Sequence, residues 1–304
     1  MTAPASRPRS AGPVLALLVN AFVWGVSWWP FRRLQAMGLH PLWATALVYA
    51  VSALAIAVWR PGALRQLASQ PALWLIFLAS GITNAGFNWA VSIGDVVRVV
   101  LLFYLMPLWV LLLARLILKE PLTKAAMLRV ACALAGAALV VSSGDGHVEH
   151  AARASRRLPD LLAVCGGFAF ALNNVMLRHE AERPEEGRAM AMFVGGAVVA
   201  GLTAAALSAG GSVAGVHWPT ATWSWLLPAL GLSAAFMASN LCLQYGAARL
   251  SATVTAVVMP VEVLIASLTA VWWGGATLHV AVLVGGALIL AATLAGVAED
   301  GHAH

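Results

Sequence analysis

Apolar runs of about twenty residues follow one another along the chain, separated by short clusters of Arg, Lys, Pro, Gly and acidic positions. About twenty apolar residues is the length a helix needs to cross ~30 Å of hydrocarbon. The pattern predicts ten such spans, at 13–31, 42–59, 72–92, 97–118, 125–142, 158–178, 189–209, 222–245, 252–273 and 278–297. The runs are continuous and lack the alternation of ~10-residue barrel strands, so helices are the expected spanning element.

Two of these spans are alike in an unusual way. Val99–Leu118 carries a single charge, Arg115, and is interrupted by Met106-Pro107. Ser251–Gly275 is interrupted in the same way by Met259-Pro260, and the two prolines lie 153 positions apart in a chain of 304. The helix before each break carries a pair of amides four residues apart, Asn84 and Asn88 in one case, Asn240 and Gln244 in the other. Trp24-Gly25…Arg32 is similar to Phe170-Ala171…Arg178 at an offset of 146. Weak internal symmetry with paired Pro-interrupted spans points to a secondary transporter. Because five helices per half is an odd number, the second half must start on the opposite side. The expected fold is therefore an all-α integral membrane protein, ten transmembrane helices arranged as two inverted five-helix repeats.

Composition agrees: 61% of residues are hydrophobic, 10% are charged, and the mean hydropathy is +0.85. Soluble chains carry about 25% charge. The net charge of +6 does not point to nucleic acid, since the basic residues sit between apolar runs and form no stripe with interleaved aromatics. Lys and Arg counts favour a cytoplasmic N-terminus, with twelve residues on the inner side and six on the outer. Both termini are then expected inside, with the charged connector Ser142–Asp160 on the outer face and Arg178–Arg188 on the inner. The Met1–Gly12 leader reads as the lead-in to a retained first helix and not as a cleaved signal. Cys132, Cys165 and Cys242 are isolated within apolar segments, which allows neither a disulfide framework nor a metal site. His147, His150, His302 and His304 lie in charged loops without further ligands, so no metal and no cofactor are expected.

Polar residues inside the spans are the candidates for function, because each is costly in hydrocarbon. Glu262 stands mid-span, two residues after Pro260, and reads either as a proton-coupling or substrate-amine site or as a protonated carboxyl hydrogen-bonded within the bundle. Arg98, at the start of the fourth span, reads either as an i,i+3 ion pair with Asp95 or as the guanidinium that holds an anionic group. Asn84, Asn88, Asn240 and Gln244, with Asn20, Asn173 and Asn174, read as cavity amides or as interhelical hydrogen bonds. Most of the 13 Trp residues fit an interfacial belt, while Trp24, Trp89 and Trp109 fall deeper. Pro107 and Pro260 supply the helix breaks. Gly136, Gly285 and Gly286 mark close-packing or homodimer surfaces.

The ten spans, the inverted arrangement, Trp24-Gly25, the mid-helix Pro107 and Pro260, and Lys119-Glu120-Pro121-Leu122 after the fourth span resemble the drug/metabolite transporter superfamily, of the EamA type. The resemblance implies a first five-helix repeat at 1–144 and a second at 158–298, with a central cavity between them. It also implies export of amino acids, related metabolites or drugs across the bacterial inner membrane. Its acidic turn falls on Glu120. The counterpart after the ninth helix is missing, since Trp273-Gly274-Gly275 stands there, and the resemblance places no carboxylate at Glu262. The expected partners are a small-molecule substrate and the lipid bilayer. An intramembrane enzyme acting on a lipid or isoprenoid is the alternative, but such chemistry usually needs several clustered acids or histidines.

Overall fold

The computed structural model describes residues 11–119, 124–142, 150–180, 182, 184–210, 216–220, 223–247, 261–275 and 279–300, and every regular element among them is a helix. The first span is two helices, α1 (Ala11–Val26) and α2 (Trp28–Ala36), broken at Ser27. Pro30 accounts for the break, since it has no N–H to bond the Val26 carbonyl and its ring crowds that oxygen. α3 (Pro41–Trp59) starts on a proline, where no N–H is needed, and His40 caps it by accepting from the Leu42 N–H at 3.2 Å. Burial, with His217 nearby, pushes His40 down from its ordinary 6.5 to about 4.

α4 (Gly62–Ser69) is a short amphipathic helix with Ala63 and Leu67 as its buried side, and hydropathy gives no span there. α5 (Pro71–Ile93) follows, then α6 (Val96–Phe103), whose N-cap is Asp95. A turn at Tyr104–Leu105 separates α6 from α7 (Met106–Leu113), which widens into a π turn at Ala114–Leu118 and stops at Lys119 in left-handed backbone. The remaining helices are α8 (Lys124–Ser142), α9 (His150–His179), α10 (Glu185–Ala209), α11 (Trp223–Ala247), α12 (Val261–Gly274) and α13 (Val280–Asp300). The connector expected over Ser142–Asp160 is partly helical, because α9 already runs from His150 through Pro159. Its first turns are rich in Ala and Arg, which are good helix formers that hydropathy cannot see.

Among the described residues, six stretches are long and apolar enough to cross a membrane: Gly12–Ala36, Pro41–Trp59, Val96–Ile117, Arg157–Leu177, Glu185–Ala209 and Trp223–Leu243. Val261–Gly274 and Val280–Ala292 are shorter apolar helices. Large apolar side chains such as Leu54, Val58, Leu202 and Leu227 face outward. In water such a surface would aggregate, whereas in a bilayer it is the lipid contact.

α5 packs on α9 and α10, and α10 also packs on α3. α1 packs on α11 and α12, α6 and α7 pack on α9, and α8 packs on α13. Several of these seams bring backbones together at glycine, most closely in the α5–α10 and α8–α13 pairs. A Cβ on Gly195 of α10 would lie 2.1 Å from the Phe77 carbonyl oxygen of α5, and one on Gly136 of α8 would lie 2.5 Å from the Gly285 oxygen of α13. All eight residues of α6 are buried, which puts that helix at the centre of the largest core cluster.

Candidate functional site

A chamber of about 940 Å³ of empty space, counted out to open solvent, lies between helices of both halves of the sequence. α1 contributes Asn20 and Trp24, α3 contributes Tyr49, and α5 contributes Ser80, Thr83, Asn84 and Phe87. α9 contributes Phe170, Asn173, Asn174 and Leu177; α11 contributes Asn240 and Leu243. Met192 and Phe193 of α10 and Glu262 of α12 complete the wall, together with Phe103, Tyr104 and Met106 around the α6–α7 turn.

The turn places Tyr104 where it is. Pro107 has no N–H to offer the Phe103 carbonyl four residues back, so the helical ladder is broken there. That carbonyl instead lies against the backbone of α9, 2.6 Å from where a Cβ on Gly167 would stand. Tyr104 falls in the resulting turn, and its buried hydroxyl donates to Glu262 Oε2 at 3.4 Å. Glu262 is buried, and Tyr104 is its hydrogen-bond partner among the described residues.

The amides are mostly tied into the wall. Asn20 donates from Nδ2 to both the carbonyl and the hydroxyl of Ser239, at 3.1 and 2.7 Å, which joins α1 to α11. Asn84 donates to the Ser80 carbonyl at 2.8 Å and to its hydroxyl at 3.2 Å, and accepts from the Tyr49 hydroxyl. Asn240 donates to the Phe236 carbonyl at 3.0 Å. Aromatic rings form an arc around one side. Trp24 meets Phe87 at 6.2 Å, Phe87 meets Phe103 at 4.8 Å and Phe103 meets Phe170 at 5.4 Å between centroids.

Of the residues singled out in the sequence, Asn84, Asn240 and Glu262 come together on the chamber wall, as do Asn20, Trp24, Asn173 and Asn174. Asn88, Arg98 and Trp109 are not part of that wall. Asn88 is fully buried and donates to Thr45 Oγ1 at 3.1 Å, so it joins α5 to α3. Trp109 packs edge-on against Phe168 at 5.5 Å. Arg98 is held by Asp160 of α9 in a two-pronged pair, Nε to Oδ1 at 2.8 Å and Nη2 to Oδ2 at 2.7 Å. The Asp95 carboxylate accepts from the Arg98 backbone N–H at 2.8 Å as the cap of α6. The side chains of Gln244 and Pro107, and all of Glu120 and Pro260, lie outside the described residues. The sequence pattern did not single out Tyr49 or Tyr104. Their signal was that two of the chain's three tyrosines stand inside apolar runs and away from the span ends.

Helices of membrane-crossing length around a shared, largely apolar chamber define a multi-pass membrane protein with an internal site. Residues 12–142 match the EamA-like transporter family, part of the drug/metabolite transporter superfamily, so the resemblance read from the motifs holds over the first half of the chain. That match points to a membrane transporter of the drug/metabolite type. A solved crystal structure of another protein is similar with a TM-score of 0.57 over 94% of this chain and 96% of that one. At 19% identity that likeness is one of fold. A comparison with curated proteins finds no match.

Proposed function

We propose that the protein is a secondary active transporter that exports a small amphipathic or aromatic metabolite across the inner membrane by alternating access, with Glu262 as the coupling carboxylate. The observation that carries this reading is a chamber whose wall is drawn from both halves of the chain and holds, among the described residues, one acid, Glu262. A carboxyl away from water is costly, and a group that exchanges a proton or cargo justifies it.

The packing supports an inverted pair of repeats. Pair the spans of the two halves in order: α1/α2 with α9, α3 with α10, α5 with α11, α6/α7 with α12, and α8 with α13. Exchanging partners turns the α5–α9 contact into α11–α1, α10–α5 into α3–α11, and α1–α12 into α9 with α6 and α7. Each of these exchanged contacts is present, while α3–α10, α6–α12 and α8–α13 map onto themselves. This exchange symmetry is what two five-helix repeats related by a twofold axis would have, and an odd number of spans per half would make that pair inverted. Two such halves can rock about a fixed central site.

The test is counterflow in proteoliposomes containing the full chain, using a panel of amino acids, amines and aromatic metabolites. Wild type should exchange at least one solute, and Glu262→Gln should lose pH-dependent uptake while remaining folded. Normal transport with an unchanged pH response in Glu262→Gln would remove the coupling role. No observation favours the enzyme alternative.

A further inference from the structure

The chamber wall is one-sided in charge and in hydrogen bonding. Among its described residues Glu262 is the acid, and none is Lys, Arg or His. Arg98, the nearest candidate cation in the sequence reading, is held by Asp160 and does not line the chamber. Many of the donors are spoken for. Both amide hydrogens of Asn20 go to Ser239, and both of Asn84 go to Ser80. Each amide faces a carbonyl oxygen, which fixes its NH₂ on that side. The hydroxyl hydrogens are committed as well. Tyr49 donates to Asn84, Tyr104 to Glu262, Thr83 to Ala79 and Ser80 to Met192. What the wall offers a guest is one carboxylate, the faces of an aromatic arc and the neutral amides of Asn173 and Asn174.

An anionic guest would meet a like charge at Glu262 and, among the described residues, only neutral donors such as the Asn173 and Asn174 amides. A zwitterion would satisfy its ammonium and leave its carboxylate without a cationic partner. A cation with a flat or apolar body meets both features of the wall, since aromatic faces attract cations and bury apolar surface. Building on the transporter reading, we propose that the cargo is a monovalent organic cation, an amine or quaternary ammonium with an aromatic body. Its charged nitrogen is held by Glu262, and its ring lies against Trp24, Phe87, Phe103 and Phe170.

Three probes with the same ring separate the classes: trimethyl(2-phenylethyl)ammonium, phenylalanine and 3-phenylpropionate. The first carries a permanent charge and cannot leak across the bilayer as a neutral base. The measurements are counterflow in proteoliposomes and equilibrium binding to the purified full-length protein. The expected result is saturable exchange of the ammonium probe, bound at least about tenfold more tightly than the anion. Glu262→Gln should erase that preference without lowering the melting temperature. The discrimination by wild type stands even if the variant fails to fold. Exchange of phenylalanine or phenylpropionate that the ammonium does not inhibit would overturn the cation class and leave the transporter reading intact. No binding of the ammonium by wild type, or equal binding by a folded Glu262→Gln, would also overturn it. Failure of the wider metabolite panel to show any counterflow is a different result, and it would count against the transporter itself.

Discussion

At the scale of single residues, the polar positions inside apolar runs were the most legible part of the site. Glu262, Asn84, Asn240 and Trp24 stand out in the sequence because each is expensive or large where it lies, and all four reach the chamber wall. Tyr49 and Tyr104 escaped notice because a tyrosine near a membrane span reads as an interfacial anchor until its hydroxyl partner is known. Arg98 was readable as a functional cation, yet its partner Asp160 is 62 positions away and belongs to another helix. Local spacing offers Asp95 instead. Outside the spans, His40 supplies a test of the folded state. Its folded value of about 4 lies below the ordinary 6.5, so the unfolded chain binds a proton that the folded one refuses. The sign follows: stability is full above pH about 6.5 and is lost progressively as the pH falls towards about 4. Thermal melting of the detergent-solubilised protein should show that decline, and His40→Gln should flatten it. An identical acid limb in the variant would assign the decline to other groups.

At the scale of elements, hydropathy located the helices and left their breaks and contacts to side-chain detail. The interruption at Met106-Pro107 was visible because proline removes a donor, whereas the break at Ser27 was not anticipated although Pro30 has the same effect. The helical start of α9 was hidden for the opposite reason, since charged Ala/Arg turns carry no hydropathy signal. Two element contacts give quantitative predictions. Arg98 and Asp160 join α6 to α9 with side chains only 11% and 22% exposed, so removing one partner strands the other. Arg98→Gln and Asp160→Asn should each destabilise the protein. The double substitution should recover much of the loss, giving a coupling of about 1–3 kcal/mol from melting data. Additive losses would mean that the pair does not couple the two helices. At the α5–α10 seam, Gly195→Leu forces side-chain atoms into the Phe77 carbonyl and should cost about 1–3 kcal/mol or more. A melting temperature equal to wild type would show that the helices can part there without penalty.

At the scale of the whole molecule, the all-helical membrane architecture could be read from composition and run length alone. The pairing of halves could be suspected from repeated prolines, but the contacts that favour it join residues far apart in the chain, Asn20 and Ser239 at a separation of 219 among them. Reporter fusions at Gly146 and Pro184 test the arrangement directly. They are expected on opposite sides of the membrane, and detection of both on one side would exclude inverted repeats. The α8–α13 seam adds a constraint on how such a molecule can move. At Gly136 and Gly285 two main chains touch without an intervening side chain, and the fit admits no extra methyl group. Surfaces meshed that closely resist sliding, so in the proposed alternating-access cycle this helix pair is expected to act as a fixed axle. The displacement that opens the interior to either side must then be taken up by the helices that border the chamber.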